Sequence, residues 1–171
     1  KKFKVVVLVT AQHRHMLDQV LRLFGITPDY DLDLMTTNQT LSSLTAKIME
    51  ECTKLFSKIS PDLIMVQGDT TTTFAASIAA YYNKIPIAHI EAGLRTKNIF
   101  SPFPEEVNRR ITSIVSKYHF APTKSAQNNL ISEGFKKENI FITGNTVIDS
   151  LLQAIKRIEK NKLNTKFDKI F

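Results

Sequence analysis

Leu63-Ile64-Met65-Val66-Gln67-Gly68-Asp69-Thr70-Thr71-Thr72-Thr73 is the stretch that decides the fold of this 171-residue chain. A short apolar run meets a glycine, an acid and a row of hydroxyls, and a helical pattern follows to Tyr82. The order reads as strand, tight turn, helix. Gly68 permits the turn, and the backbone N–H groups and hydroxyls beyond it can face an anion. No Gly-Lys-Ser/Thr follows, so this is not a nucleotide-triphosphate loop of the Walker kind. Asp69 either caps the helix or faces a ligand, two compatible roles of about equal weight.

Working outward, apolar runs without alternation recur at Val5 to Val9, Ile87 to Ile90, Tyr118 to Ala121 and Ile140 to Ile142. With Leu63 to Val66 they read as strands buried on both faces. Asp29 to Met35 adds a short edge strand. Between them Leu41, Leu44, Ile48, Cys52, Leu55 and Ile59 form one inward helical stripe. Further helical patterns run over Met16 to Phe24, Thr72 to Tyr82, Glu106 to Ser116, Ser125 to Glu133 and Thr146 to Ile158. Strand and helix in repeated alternation predict right-handed crossovers and an α/β fold, a Rossmann-like parallel sheet flanked by helices. The length suits one core, with a domain over 1–160 and a Lys/Asn-rich tail or linker at 161–171.

Bulk composition narrows the partners. The net charge is +7, but the lysines are scattered and then gather from Lys156 to Lys169, which reads as a solvated helix end and tail rather than a nucleic-acid surface. No apolar run has the length of a membrane span, and no signal-peptide pattern is visible in a chain that begins Lys1-Lys2. The single cysteine, Cys52, excludes an internal disulfide and a thiolate metal cluster. A cytoplasmic protein without membrane contact is expected.

Two more acid-bearing loops follow predicted strands, and ligands bind open parallel sheets at the carboxyl ends of their strands. Glu91 follows Ile87-Ala88-His89-Ile90, and a carboxylate there needs a partner or a task. A salt bridge to Arg95 is the simpler reading of that segment alone. Ser101-Pro102-Phe103-Pro104 is a stiff run that delivers Glu105 and Glu106 to a helix start, where acids also compensate the dipole. Arg109 stands four residues after Glu105, placed to pair with it or to address a phosphate with it. Gln12-His13-Arg14-His15 follows the first strand and fits a nucleotide-sugar contact, or ordinary solvation of a helix start, better than a metal. His89 and His119 read as core histidines. Gly-x-Gly-x-x-Gly and Gly-x-Ser-x-Gly are both missing, so neither a dinucleotide fingerprint nor a nucleophile elbow is present.

Taken in order, these stretches resemble the non-hydrolysing UDP-N-acetylglucosamine 2-epimerases. The likeness runs through Thr10 to Arg14, Met16 to Leu21, Pro28 to Leu32, Gly68 to Thr73, His89 to Thr96, Ser101 to Arg110 and Ile142 to Asp149, covering about residues 3 to 155. The resemblance implies half of a glycosyltransferase-B-like architecture, the type of the UDP-glycosyltransferases and glycogen phosphorylase. The site would lie in the cleft between two Rossmann-like domains, of which this chain resembles the N-terminal one. It also implies interconversion of UDP-GlcNAc and UDP-ManNAc by elimination and re-addition of UDP, for surface polysaccharide precursors, with no redox cofactor or metal.

On this chain the family's catalytic carboxylates fall on Asp69, Glu91 and Glu105, with Arg109 as a substrate contact. Gln12, His13 and Gln39 fall near a second UDP-GlcNAc site, an activating allosteric one in bacterial members, and family members are commonly homodimers. The family's first strand with its Gly-Thr-Arg-Pro-Glu-Ala loop, and its C-terminal domain, have no counterpart in this sequence. Expected of the isolated chain is little or no turnover. The rival expectation is a nucleotide-sugar-binding or interaction module, or one half of a split enzyme.

Overall fold

Thr40 opens the longest buried helix. Its hydroxyl accepts the Ser43 N–H at 3.1 Å, and the helix runs Leu41–Ile59 until Ser60 turns left-handed at φ 46° and donates its N–H to the Phe56 carbonyl. The predicted stripe points inward at Leu44, Ile48, Cys52 and Leu55, with Phe56 added and Leu41 left exposed. Burial pushes the Cys52 thiol up to about 12, which leaves it an inert core residue.

The fold comes from a computed structural model, and residues 2–11, 14–36 and 38–161 are described. Element order is β1 (Leu8–Val9), α1 (Arg14–Phe24), β2 (Tyr30–Asp31), α2 (Leu41–Ile59), β3 (Ile64–Gln67), α3 (Thr71–Tyr82), β4 (Ile87–Ile90), α4 (Glu105–Val115), β5 (Tyr118–Ala121), α5 (Lys124–Ser132), a 3-10 turn at Lys137–Asn139, β6 (Ile140–Ile142) and α6 (Thr146–Asn161). All strand pairs are parallel, in a four-stranded sheet β3-β4-β5-β6 and a two-stranded sheet β1-β2.

The predicted strands form, but burial on both faces holds through Ile87, Ala88 and His89 of β4 alone. Strands β3 and β5 alternate instead, and Met65 of β3 is 58% exposed. Flanking strands do not account for this, since β5 has neighbours on both sides as β4 does and still alternates; burial of a strand's two faces depends on what packs over the sheet. The first predicted strand shrinks from Val5–Val9 to Leu8–Val9, and the second from Asp29–Met35 to Tyr30–Asp31. Among the described residues no strand joins the two sheets, although Leu8, Leu32, Leu34, Ile64 and Val66 all pack against one cluster of α2, α3 and Ile87.

Alanine makes that cluster dense. Ala75, Ala76, Ala79 and Ala80 let α3 lie between α2 and α4 with little side-chain bulk. A second cluster, Ala92, Ala121, Ala126, Leu130 and Ile140, joins β5, β6 and α5. Gly93 is indispensable there: at φ 90°, a Cβ would stand 2.3 Å from the Ala126 carbonyl oxygen. Helix α6 continues to Asn161 and leaves Val147, Ile148, Leu151 and Leu152 exposed, while Arg157 bonds the Leu23 carbonyl and lies over Phe24. Residues 162–171, most of the expected tail, lie outside the described residues.

Candidate functional site

Parallel strands β3 and β4 end side by side, with Val66 opposite His89 and Gln67 opposite Ile90. Both chains then turn in the left-handed region: Gly68 has φ 72°, and Glu91, a residue with a side chain, has φ 67°. Such a backbone costs about 1 kcal/mol or more for a non-glycine residue and persists where surrounding structure enforces it, commonly at functional sites. The turns face one another, since a Cβ on Gly68 would lie 3.6 Å from Glu91 Oε2. The first two predicted acids, Asp69 and Glu91, are therefore brought together at the carboxyl end of the sheet.

Asp69 is not the helix cap. Thr70 takes that role, its hydroxyl accepting the Thr73 N–H at 3.2 Å. The Asp69 carboxylate pairs instead with Arg109 of α4, Nη2 to Oδ2 at 2.5 Å. A charge-assisted bond of that length ties α4 to the turn after β3.

The expected Glu91–Arg95 salt bridge does not form. Arg95 reaches across the fold and grips Glu133 at the end of α5 with two bonds, Nε to Oε1 at 2.7 Å and Nη2 to Oε2 at 2.8 Å, and donates further to Leu94 O and Ser113 Oγ. Its grip holds the Glu133 carboxyl below the usual carboxylate range. Among the described residues, neither a hydrogen bond nor an ion pair engages the Glu91 carboxylate. The bland explanation for Glu91 thus loses its partner.

Glu105 opens α4, and one of its oxygens, Oε2, is buried without a hydrogen-bond partner. The expected Glu105–Arg109 pair is replaced by contacts of Arg109 with Asp69 and with Glu106, whose Oε2 lies 3.4 Å from Nη1. Glu106 is the residue that sequence reasoning passed over. It is fully buried, accepts the Thr96 N–H at 3.2 Å, and faces both Arg109 and Arg110. The available signal was a double acid followed at three and four residues by a double arginine, with either acid able to serve.

The other predicted contacts are Gln12, His13 and Gln39. Gln12 and His13 fall outside the described residues. Their neighbour Thr10 shares a 2.8 Å hydroxyl contact with Thr72, and Arg14 pairs with Asp31 at 2.5 Å and Asp33 at 2.6 Å. Gln39 precedes α2, where its Oε1 accepts the Thr36 N–H at 3.3 Å and its buried Nε2 lacks a partner. Among the described residues no hydrogen bond joins it to any of the three acids. Among the described residues no three metal-ligating side chains cluster, and no helix is long and apolar enough to cross a membrane.

His89 and His119 stand opposite one another in the register of β4 and β5, both buried. Burial holds each imidazole down at about 4, with the Gly68 carbonyl opposing the shift at His89 and the nearby His89 and Arg95 charges adding to it at His119. In the unfolded chain both would take up protons near their ordinary pKa of about 6.5. Below that value the unfolded chain binds more protons than the fold, so stability falls as pH drops from 7 towards 4. Unfolding free energies at pH 7 and 5 should differ by about 2 kcal/mol per histidine, read as a lower denaturation midpoint at pH 5. The difference should shrink in His119→Phe, and equal midpoints in the parent would refute it.

A parallel α/β sheet flanked by helices, with Asp69, Glu91 and Arg109 brought together at its strand ends, defines a Rossmann-like domain. The sequence profile of the UDP-N-acetylglucosamine 2-epimerases matches residues 1–170, and the chain belongs to that family. It is 51% identical over 165 residues to the UDP-N-acetylglucosamine 2-epimerase of Neisseria meningitidis, covering 96% of this chain and 44% of that protein. A crystal structure of a Neisseria meningitidis UDP-GlcNAc 2-epimerase bound to UDP-GlcNAc superimposes with TM-score 0.94 at 49% identity, over 100% of this chain and 46% of the other. The Methanocaldococcus jannaschii enzyme, in complex with UDP-GlcNAc and UDP, gives 0.87 at 38% identity over 94% and 44%. The chain therefore spans less than half the length of these relatives and forms one half of a glycosyltransferase-B-like architecture.

Proposed function

We propose that this chain supplies one wall of a UDP-N-acetylglucosamine 2-epimerase site, serving UDP-GlcNAc/UDP-ManNAc interconversion for surface polysaccharide precursors in the cytoplasm. The observation that carries the reading is the unpartnered Glu91, held at positive φ beside Gly68 and next to the Asp69–Arg109 pair. The C2 proton of the sugar is weakly acidic, so its removal needs a positioned base. As it leaves, the electron pair forms the C1–C2 double bond and the C1–O bond breaks, with UDP carrying off that bonding pair. Re-addition of UDP to the glucal with protonation at C2 from the opposite face completes the inversion.

Glu91 is the better acid/base of the pair, because Asp69 is committed to Arg109. Glu105 positions or relays, and Arg109 meets the diphosphate charge. Gln12, His13 and Gln39 belong to a second, activating UDP-GlcNAc site, and the assembled enzyme is a homodimer. The opposing wall comes from the rest of the protein, so the isolated chain holds the substrate loosely and turns it over little or not at all.

Amide NMR of this chain titrated with UDP-GlcNAc in ordinary water, with the C2 proton signal of the sugar followed in a parallel sample in deuterated water, tests both the site and the missing wall. Shifts confined to Gly68–Thr72, Glu91–Gly93 and Glu105–Arg109, without loss of the C2 proton signal, are expected. Shifts elsewhere alone would overturn the site, and exchange by the chain alone would overturn the account of the missing wall.

A further inference from the structure

The turn that carries Asp69 has an unusual feature: three carbonyls in succession are each held by a side chain from a different element. Thr73 Oγ1 of α3 donates to the Gln67 carbonyl at 2.6 Å. His89 Nε2 of β4 meets the Gly68 carbonyl at 2.8 Å, and Asn108 Nδ2 of α4 donates to the Asp69 carbonyl at 2.9 Å. All three side chains are buried, and the Gly68 N–H is tied back to the Ile90 carbonyl at 3.0 Å.

A carbonyl only accepts, so His89 Nε2 must carry the hydrogen in this contact. The ring's other nitrogen, Nδ1, is buried without a partner, which is consistent with a bare nitrogen there. Asn108 adjoins Arg109 on α4, so that helix grips Asp69 twice, by backbone and by carboxylate. Peptide planes held in this way resist rotation and fix the Cα–Cβ direction of Asp69, while the bond from Arg109 holds its carboxylate.

We propose that His89 and Asn108 are positioning residues which, with Thr73, clamp the Gln67, Gly68 and Asp69 carbonyls and so aim Asp69 at Arg109 and at the space beside Glu91. This rests on the reading of Asp69 as a site residue. His89 acts in its neutral form with hydrogen on Nε2, and the depression of its pKa to about 4 by burial keeps it so at neutral pH.

The test uses this chain as it stands. Long-range proton–nitrogen NMR of the histidine rings at pH 7 should show His89 protonated on Nε2 and bare on Nδ1. In His89→Leu, hydrogen exchange at Gly68, Thr73 and Phe74 should rise about tenfold relative to Ile48 and Cys52 in α2. His89→Gln, whose amide nitrogen can reach the same carbonyl, should restore exchange to within about threefold of the parent. Should His89→Leu fail to fold, Asn108→Ala loosens the same turn and is read at the same amides. Hydrogen on Nδ1, or exchange at the turn no faster than in α2, would overturn the clamp. Absence of substrate shifts in the UDP-GlcNAc titration would instead overturn the functional reading and leave the clamp standing.

Discussion

Glu91→Gln is expected to lower C2 proton exchange about 10³-fold in a chimera in which this chain replaces the matching segment of the Neisseria meningitidis relative. The chimera supplies the opposing wall, and half the matched positions are already identical. Glutamine keeps the size and the φ demand of position 91 but cannot accept a proton, so ground-state binding should change little. The loss should therefore appear in turnover more than in KM. Asp69→Asn should also be slow, by a different route: the Arg109 guanidinium loses its 2.5 Å carboxylate partner and is free to shift. A Glu91→Gln chimera that exchanges as fast as its parent would remove Glu91 from the acid/base role.

Glu106→Ala should be the most destabilising single change, by about 3–5 kcal/mol, because it removes one member of a buried ion cluster. Glu106 is fully buried, and its two oxygens face Arg109, Arg110 and the Thr96 N–H. Truncation leaves the mostly buried Arg109 with Asp69 as its remaining anion and strips the N–H of Thr96 of its acceptor. Glu106→Gln keeps the acceptor for Thr96 and should cost less than the alanine. Denaturant melts of the two variants check the order, and a loss below about 1 kcal/mol for alanine would mean that the cluster is worth little net.

The contrast between Glu91 and Glu106 shows where sequence reasoning stops. Positions of β4 and β5, and the inward stripe of α2, were legible because apolar runs and their spacing act over a few neighbours. Asp69 and Glu91 were legible as residues at strand ends, and Glu105 as a residue at a helix start. Their partners were not. Arg95 stands four residues after Glu91 yet binds Glu133, 38 residues away, and Arg109 stands four after Glu105 yet binds Asp69, 40 residues back. Local spacing offers each arginine a nearby carboxylate, and only the packed fold decides which carboxylate meets its guanidinium with the right geometry. The same holds for Thr70, which displaces Asp69 as cap.

Strand burial was misread for a related reason. An apolar run records that a segment is suited to the interior, whereas exposure at β3 and β5 depends on what packs over each face of their sheet. By itself, then, the sequence determined a parallel α/β domain, the order of its elements, its family resemblance and the acids at its strand ends, all of which follow from short-range pattern. Tertiary structure alone decided that Glu91 is left unpaired among the described residues, that Asp69 is held by α4, and that Glu106 anchors the cluster. Those outcomes depend on which charges meet at van der Waals distance after burial, a competition between remote residues that no local spacing encodes.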